Sequence, residues 1–358
     1  MAVDLGSLKL FLGPSDVLPQ GSPAQLDNLE QTIVGFIDAA QKSLDIAVQE
    51  VDSEPIARAI VRAQTNRKVA VRLVSEADYL SVKAAVADPF GPNAGAENEV
   101  NRILYAALLR SKAWVRTDYN PDIFHQKFII RDKSSVLTGS TNFTDTDTHS
   151  NLNHIVVIDN IEIAKAYQNE FDEIRQGQFG KFNIGANKTP KVVIVEDVRV
   201  KPCFAPDHAP EMEIMKQMLK AKTRIDFAIF TFANSSGIDD TMVQLSNFGI
   251  KIRGAMDGGQ AAQKWAAEKG LVAAGIDIWR IPKKNKVRKL HHKLMVIDDS
   301  VTIIGSFNYT APANLTNDEN ILVLGDADNP TANQKKIAKA ARLEIDRIIA
   351  DHGVKVSA

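Results

Sequence analysis

The stretch FHQKFIIRDKSSVLTGSTN, residues 124–142, is repeated as HHKLMVIDDSVTIIGSFN at residues 291–308. Each copy contains a histidine, a lysine two residues later, an aspartate five residues after the lysine, and then Gly-Ser-x-Asn. The matching positions are His125, Lys127, Asp132, Gly139, Ser140 and Asn142 in the first copy, and His291, Lys293, Asp298, Gly305, Ser306 and Asn308 in the second. All pairs are separated by 166 residues. Two gapless copies in one chain indicate a shared chemical role.

The apolar residues of both copies predict two strands joined by a tight turn. The runs KFIIRD and VLTGS in the first copy, and KLMVIDD and VTIIGS in the second, are β-branched and aliphatic and are interrupted by turn-forming residues. Side chains on a strand alternate between its two faces. His125 is therefore expected on the same face as Lys127, and His291 on the same face as Lys293, whereas His292 points the other way.

The remaining motif residues are predicted to support the site. Asp132 and Asp298 lie an odd number of residues after their histidines, and we expect each in the turn, making local backbone hydrogen bonds. Their interpretation is structural rather than catalytic. Gly139 and Gly305 have no side chain, so another group can approach the backbone there. The strand ends provide small polar groups to support a bound phosphate, namely Ser140, Asn142, Ser306 and Asn308.

An imidazole, an ammonium, an amide and a hydroxyl together form half of an anion-binding site. Two halves that face each other would surround a phosphoryl group, and the lysines and amides would stabilise the charge on its oxygens. One imidazole would attack the phosphorus while the other protonates the leaving oxygen. Because the lysines supply positive charge, the pattern predicts chemistry without a metal or other cofactor. Zinc is disfavoured, since each histidine is followed by a lysine and no His/Cys set has ligand spacing.

The pattern His-x-Lys, four residues, Asp, six residues and Gly-Ser-x-Asn resembles the signature of the phospholipase D superfamily, present here twice. The resemblance implies a metal-independent phosphodiesterase that works through a phosphohistidine intermediate at a pseudo-twofold axis. It also implies that two sheets pack together with the motifs at their seam. The superfamily includes lipases, lipid synthases and nucleases, so its name alone does not give the substrate.

The similarity between the two halves extends beyond the motifs. SLDIAV resembles RIDFAI, which matches Asp45 with Asp226, and VAVRLV resembles IKIRGA, which matches Arg72 with Arg253. Strands that alternate with helices predict an α/β protein. We expect an internally duplicated phospholipase D fold, with two mainly parallel or mixed β-sheets flanked by helices and packed about a pseudo-twofold axis. The predicted parts are an N-terminal half at residues 1–176, a linker at 177–190 and a C-terminal half at 191–358.

The two halves differ 28 residues after each motif histidine. Glu319 follows His291 at this distance, whereas Asn153 follows His125. In the superfamily pattern, a glutamate at this place resembles a partner of the far nitrogen of the histidine, and only the second half keeps it. A carboxylate raises the pKa of an imidazole more than an amide does. We therefore assign His291 as general acid and His125 as nucleophile, and expect a bell-shaped pH profile. The alternative is that Asn153 weakens the first half and leaves His125 in a supporting role.

Composition sets only broad bounds on location and partners. The 43 basic and 44 acidic residues nearly balance, so no global field attracts nucleic acid or anionic membrane. The single cysteine, Cys203, excludes an internal disulfide. No apolar run approaches the length of a transmembrane helix, and the N-terminus is not typical of a secretion signal, which favours a cytoplasmic protein. Two motifs per chain make a monomer sufficient for a complete site.

A local basic run favours a polyanionic substrate. It precedes His291 and comprises Lys283, Lys284, Lys286, Arg288 and Lys289. These charges would dock a nucleic acid beyond the scissile phosphate. A solvated surface loop is an equally good explanation of the run.

Residues 305–324, GSFNYTAPANLTNDENILVL, are similar to compact bacterial and mitochondrial-type nucleases of the superfamily. The matching residues are Phe307, Tyr309, Thr310, Glu319 and Asn320. We therefore favour a nuclease that acts on DNA or RNA. The alternative is a phospholipase D or phosphatidyltransferase acting on phospholipid headgroups, which would need an apolar entrance. A catalytically silent binding module is a third hypothesis, against which the completeness of both motifs argues.

Overall fold

Two mixed β-sheets carry the two copies of the motif, one in each half of the chain. The computed structural model describes residues 3–19, 22, 24–82, 84–90, 97–183 and 188–357. The strands of the first half are β1 (Val3–Asp4), β2 (Leu8–Gly13), β3 (Ser43–Val48), β4 (Ala70–Ser75), β5 (Trp114–Thr117), β6 (Lys127–Arg131), β7 (Ser135–Gly139) and β8 (Asn151–Asp159). Those of the second half are β9 (Val193–Val195), β10 (Val198–Ala205), β11 (Arg224–Ile229), β12 (Lys251–Asp257), β13 (Asp277–Ile281), β14 (Lys289–Leu290), β15 (Lys293–Ile297), β16 (Val301–Gly305), β17 (Glu319–Leu324) and β18 (Val354–Lys355).

Helices connect these strands in both halves. The first half contains α1 (Leu29–Asp38), α2 (Glu54–Thr65), α3 (Glu99–Arg110), α4 (Asp145–His149) and α5 (Ile161–Arg175). The second half contains α6 (Pro210–Met218), α7 (Gly237–Asn247), α8 (Gly258–Ala261), α9 (Glu268–Ala273), α10 (Ala311–Leu315) and α11 (Ala332–His352). The longest, α11, begins at a capping box in which Thr331 and Gln334 exchange hydrogen bonds. None of the described helices combines the length and hydrophobicity that crossing a bilayer requires.

The cores of the two sheets have the same strand order. Within the described residues, the first sheet runs β1-β2-β8-β7-β6-β3-β4-β5, and β14 of the second half joins it beside β8. The second runs β18-β13-β12-β11-β15-β16-β17-β10-β9. Strands β3, β4 and β5 pair in parallel, as do β11, β12 and β13. The motif strands instead form antiparallel hairpins, β6 with β7 and β15 with β16. The duplicated α/β fold with mixed sheets is thus confirmed. Among the described strands, parallel pairing is confined to these two groups of three and to the short pair of β14 with β8.

Matched ion pairs show the duplication at the level of side chains. Asp45 on β3 lies opposite Arg72 on β4, and the Arg72 Nε donates to Asp45 Oδ1 at 2.5 Å. Asp226 on β11 lies opposite Arg253 on β12, with the same contact at 2.5 Å. The residues that the sequence comparison matched therefore occupy equivalent places in the two sheets.

The apolar core has three parts. A central cluster contains side chains from β2, β8 and α5 of the first half and from β10, β17 and α11 of the second. One outer cluster lies under α1 and α2, and the other under α6 and α7. Helices α5 and α11 each contact strands of both sheets, so they lie between the sheets. Burial of this shared central cluster holds the two halves together.

Each half also extends a segment across the seam onto the other sheet. Strand β14 pairs in parallel with β8, and in the reverse direction Phe124 forms a bridge with Asp318, just before β17. The backbone N–H of His291 donates to the carbonyl of Leu152, and that of His125 to the carbonyl of Asp318, both at 2.9 Å. These reciprocal crossings place each motif histidine against the opposite half.

The predicted linker is packed in part against the rest of the chain. Phe179 belongs to the central cluster, and the backbone N–H of Gly180 donates to Asp318 Oδ1 at 2.8 Å. Residues 184–187 lie outside the described residues. The contacts at 179–180 show that the first part of this segment helps to join the halves.

Candidate active site

Both motif histidines line one cavity of about 560 Å³ at the seam between the halves. Asn142 and Asn308 line the same cavity. His125 is 7% exposed and His291 is 6% exposed, so both residues are largely shielded from solvent. The first and last residues of the two motifs, distant in sequence, therefore converge on a space of the size that small ligands occupy.

The two motif lysines are buried next to the histidines. Lys127 Nζ donates to Gln49 Oε1 at 3.1 Å and to the carbonyl of His125 at 2.9 Å. Lys293 Nζ donates to the carbonyl of His291 at 2.9 Å. An ammonium has three N–H donors. In the part of the chain that the structure describes, these bonds leave each lysine at least one N–H without an acceptor, and neither lysine lines the cavity directly.

Glu319 contacts the histidine of the opposite half. Its Oε2 lies 2.7 Å from His125 Nδ1, and Ser306 Oγ donates to the same oxygen at 2.5 Å. The expectation that Glu319 supports His291 is therefore wrong. The physical reason is the crossing at the seam, because the bridge between Phe124 and Asp318 places the start of β17 beside His125.

His291 is held by oxygens of the first half. Its Nδ1 lies 3.0 Å from Asn153 Oδ1 and 3.4 Å from Asp147 Oδ2. The pairing of β14 with β8 produces this contact. Asn153 therefore does not weaken the first half, since His125 has a carboxylate partner from the second half. With Nδ1 of both rings facing protein oxygens, Nε2 of each is the nitrogen left for a ligand.

Burial and positive charge shift the titration of these groups. Burial lowers the pKa of His125 and of His291 well below the ordinary value, and the ammonium groups of Lys127 and Lys293 lower both further. Burial lowers the pKa of Lys127 to about 8 and that of Lys293 well below its ordinary value. It raises the pKa of Glu319 to about 8. An anion bound among these groups would favour the protonated form of the histidines and lysines, so the site is suited to a phosphate group. The positive charges of Lys127 and Lys293 oppose the effect of burial on Glu319 and favour its carboxylate form.

Asp132 and Asp298 lie in the motif turns and outside the cavity. Both have left-handed backbone, with φ of 54° and 48°. The Asp132 carboxylate accepts hydrogen bonds from the backbone N–H groups of residues 41–43, and Asp298 accepts from those of residues 222–224. The expected bonds within the turn are therefore wrong, because each carboxylate ties its turn to the segment before a neighbouring strand. Neither residue contacts the cavity, so neither supports a phosphate there.

We expect Asp132→Ala to lower the free energy of unfolding by about 1–3 kcal/mol, because backbone N–H groups lose a charged acceptor. Burial alone would raise the pKa of Asp132, but the hydrogen bonds from Ser43, Gln41 and Lys42 outweigh it and hold the pKa below its ordinary value. The stabilisation is therefore full above the unfolded pKa of about 4 and is lost as pH falls through the lower folded pKa. Denaturant unfolding at pH 7 and pH 3 measures this, with Asp240→Ala, an exposed residue of α7, as the control. An equal loss at both pH values would contradict the argument.

The motif serines contact the hydrogen-bond partners of the histidines. Ser306 Oγ donates to Glu319, the partner of His125, and accepts from the backbone N–H of Asn320 at 2.9 Å. Ser140 Oγ donates to Asn153 Oδ1 at 2.7 Å and accepts from the backbone N–H of residue 154 at 3.0 Å. Both hydroxyls are fully buried and neither lines the cavity. They orient the oxygens that hold the two rings, and the predicted contact with phosphate is corrected accordingly.

The motif glycines allow the neighbouring strand to approach. Gly139 and Gly305 have φ of 155° and 146°. A Cβ added at either position would lie 2.2 Å from a carbonyl oxygen, that of His154 or that of Asn320. The group that approaches the backbone is therefore the adjacent strand, which carries the hydrogen-bond partner of a motif histidine.

Most of the basic run lies outside the cavity. Lys283, Lys284, Lys286 and Arg288 are exposed and do not line it. Lys289 does line it, with Nζ 5.4 Å from the ring centroid of Phe230. That ring in turn packs edge-on against His291, with centroids 4.9 Å apart. One of the five predicted docking residues thus lines the site, and the other four do not.

Sequence reasoning missed several residues of the cavity. Asp147 accepts from the backbone N–H of Asn142 at 2.7 Å and lies near His291, but the equivalent place in the second motif is Ala313, so comparison of the repeats hid it. Glu50 also lines the cavity, and burial, with the charge of Asp52, raises its pKa to about 7. The available signal was its position just after β3, the strand that pairs with the first motif strand.

The lining of the cavity combines many polar side chains with a few apolar ones that are exposed. Ile123 and Trp265 line it and are 46% and 41% exposed. Pro312 lines it as well, and Leu315, on the same short helix α10, is 60% exposed. We call these residues the apolar mouth. Exposed large side chains grouped at the entrance of a site mark a surface for an apolar partner.

A family model described as "Cardiolipin synthase, PLD-like domain" matches residues 33–175 and 214–349. The two matches cover well over half of the chain, and each contains one complete motif. A solved structure of phosphatidylserine synthase from Haemophilus influenzae superposes with a TM-score of 0.67 at 13% identity, covering 99% of this chain and 89% of that chain. At this identity the likeness is one of fold.

Curated relatives match over a shorter region. A mitochondrial cardiolipin hydrolase of Xenopus tropicalis is 33% identical over 137 residues, which are 38% of this chain and 56% of that protein. A phospholipase D of Rickettsia conorii is 29% identical over 130 residues, which are 36% of this chain and 63% of that protein. The chain thus spans about three-fifths of the length of these relatives.

Proposed function

Because the chain belongs to the family of the cardiolipin synthase, PLD-like domain, we propose that it is a phospholipase D-type phosphodiesterase acting on phospholipids. The observation that carries the proposal is the single cavity lined by His125 and His291, in which each ring is held by an oxygen of the opposite half. The names of the relatives refer to phospholipids, and the apolar mouth supports the same class of substrate. The sequence had favoured a nuclease, and this proposal adopts its alternative.

In the first step, His125 attacks the phosphorus. Its Nδ1–H donates to Glu319, so the lone pair of Nε2 faces the cavity. As the N–P bond forms, the ring becomes positive, and the carboxylate 2.7 Å away stabilises that charge. The bond between phosphorus and the leaving alcohol oxygen breaks, and His291 Nε2–H gives its proton to that oxygen.

In the second step, water attacks the phosphohistidine. His291, now neutral, takes a proton from the water as the new O–P bond forms and the N–P bond to His125 breaks. The phosphate product leaves and both rings return to their starting forms. An alcohol in place of water would give transfer of the phosphatidyl group. Lys127 and Lys293 supply the positive charge for the phosphate oxygens, so no step requires a metal.

The assignment of His125 as nucleophile and His291 as acid is kept, but its physical reason is reversed. Glu319 stabilises a positive charge on His125 that develops only during attack. The nearer partner of His291 is the neutral amide of Asn153 at 3.0 Å, and the Asp147 carboxylate is farther away at 3.4 Å. The His291 imidazolium is therefore a stronger proton donor than it would be with a carboxylate in the nearer position.

A nuclease is the second candidate, and the basic run favours it. Lys289 reaches the cavity, and the exposed cations beside it form a path for a longer polyanion. Incubation with phospholipid vesicles, single-stranded DNA, double-stranded DNA and RNA distinguishes the two, and bis(p-nitrophenyl) phosphate serves as a general phosphodiester. We expect release of lipid headgroups. Cleavage of nucleic acid with intact lipid would replace the first candidate with the second.

We expect the double variant Ile123→Ser, Trp265→Ser to turn over phospholipid vesicles about tenfold or more slowly. Each side chain contributes about 1.5 kcal/mol or more when it is buried against acyl chains. Turnover of bis(p-nitrophenyl) phosphate, which is soluble, should be nearly unchanged. Phe248→Ser is the control, since Phe248 is exposed but does not line the cavity. Equal losses with both substrates would show that the mouth does not bind lipid.

A further inference from the structure

The equivalent helices α5 and α11 differ at one buried charge. Residues 163–174, IAKAYQNEFDEI, align with residues 337–348, IAKAARLEIDRI. Glu170 is thereby equivalent to Glu344, and Glu173 is equivalent to Arg347. In the second half the arrangement is balanced, because Arg347 donates two hydrogen bonds to the fully buried Glu344, at 2.7 and 2.8 Å. In the first half a carboxylate stands where that guanidinium would be.

A third carboxylate joins this cluster from across the seam. Asp207 follows Pro206 directly after β10, and its side chain has no exposed surface. At the corresponding place after β2, Pro14 is followed by Ser15. Glu170, Glu173 and Asp207 each offer an oxygen, and these oxygens all lie within 4.8 Å of one another. Relative to the second half, the first half has thus lost a cation and gained two acids around one buried glutamate.

Several oxygens at this cluster lack a donor. Glu170 Oε1 accepts from Gln126 at 3.1 Å, but Oε2 is buried without a hydrogen-bond partner. Asp207 Oδ1 is also buried without a hydrogen-bond partner, and Asp207 Oδ2 lies 3.3 Å from His208 Nε2. Asn183 donates from Nδ2 to Glu173 Oε2 at 3.4 Å, while its own Oδ1 is buried and unpartnered. Among the described residues, no lysine or arginine pairs with Glu170 or Asp207. A buried polar atom without a partner is costly and calls for a ligand or a proton.

We propose that Glu170, Glu173 and Asp207 hold a hard divalent cation in the place that the guanidinium of Arg347 occupies in the second half. The donors are carboxylate oxygens with an amide oxygen beside them, a set suited to Ca²⁺, Mg²⁺ or Mn²⁺ rather than to zinc. His208 does not compete as a ligand, because its Nδ1 accepts from the backbone N–H of Phe204 and its Nε2–H therefore faces Asp207. Such an ion would link α5 to the second half of the chain.

The site is structural and separate from the phosphodiester chemistry. None of its three carboxylates lines the catalytic cavity. It connects to the motif through Gln126, the residue after His125, which donates to Glu170. Metal binding at this site therefore does not depend on the proposed function, and it can be tested without measuring enzyme turnover.

The protein is first stripped of metal with a chelator. It is then titrated separately with CaCl₂, MgCl₂ and MnCl₂, and calorimetry measures binding while thermal unfolding measures stability. We expect one ion of at least one of these metals to bind per chain, and the midpoint of thermal unfolding to rise by several degrees. Glu173→Arg supplies the missing guanidinium. It should abolish binding and give the same midpoint with and without the metal. Glu162→Arg, the same charge change on the exposed face of α5, should bind like the wild type.

A second variant keeps the test valid if Glu173→Arg fails to fold. Asp207→Ser installs the residue found at the corresponding place in the first half, and it should weaken binding at least tenfold. Failure of all three metals to bind the wild type at millimolar concentration would overturn the proposal and leave Glu170 as a buried protonated acid. Wild-type binding that persists in both Glu173→Arg and Asp207→Ser would also overturn it, because the ion would then lie elsewhere.

Discussion

His125→Ala is expected to reduce turnover of every phosphodiester substrate by about 10⁴-fold or more, because it removes the atom that attacks phosphorus. His291→Ala should behave differently. It removes a proton donor, so it should abolish cleavage of lipids, whose leaving alcohol needs that proton, while sparing attack on bis(p-nitrophenyl) phosphate, whose leaving group departs without one. The same variant lacks the base for the second step and should accumulate phosphorylated enzyme.

Two measurements check this pair of outcomes. The burst of p-nitrophenol from His291→Ala reports the first step, and mass spectrometry of its peptides locates the phosphoryl group, which is expected on His125. His352→Gln is the control, since this histidine lies at the end of α11 and does not line the cavity. A phosphoryl group trapped on His291 in His125→Ala would reverse the two roles.

Glu319→Gln is expected to slow the first step by about 10²- to 10⁴-fold with both activated and lipid substrates. The amide keeps the shape of the side chain but removes the charge that stabilises the positive ring of His125, and its NH₂ group favours the wrong tautomer. Asn153→Asp is the matched variant. It adds a second carboxylate beside His291, closer than that of Asp147. This should slow lipid cleavage by weakening the acid and leave the p-nitrophenyl substrate largely unaffected.

A double-mutant cycle tests the crossed pairing directly. If Glu319 acts through His125, Glu319→Gln should add nothing to His125→Ala but should still slow formation of phosphoenzyme in His291→Ala. Pairing within the second half predicts the opposite result. If Glu319→Gln lost only lipid cleavage and still cleaved the activated substrate normally, Glu319 would instead act through His291.

The sequence was sufficient for the duplication and for the motif hairpins. The constant spacing between copies gave the equivalent positions, and the aliphatic runs gave the strand pairs β6 with β7 and β15 with β16, although His125 and His291 lie just before these strands and not on them. It was not sufficient for the partner of each ring. Glu319 follows His291 along the chain, and spacing alone suggests pairing within one half, whereas the contact depends on how β17 and β8 meet the opposite half in space.

The nature of the substrate was harder to predict for a similar reason. Charged residues cluster in sequence, so the basic run before β14 was conspicuous. The apolar mouth consists of Ile123, Trp265 and Pro312, which line the cavity, and of Leu315 on the same helix as Pro312. No single window of sequence contains all of them. The turn positions of Asp132 and Asp298 were predictable, but the backbone segments that they hold arrive from about 75 to 90 residues away.

The reciprocal crossing at the seam makes the two repeats obligate complements of each other. A fragment ending after α5 would expose its shared core and carry an imidazole deprived of its carboxylate, and the remaining fragment would carry an imidazole deprived of its amide. Neither piece is a smaller enzyme, and activity from separately produced fragments would require their reassembly as a heterodimer. A duplication that began as two copies of one unit has in this way become indivisible.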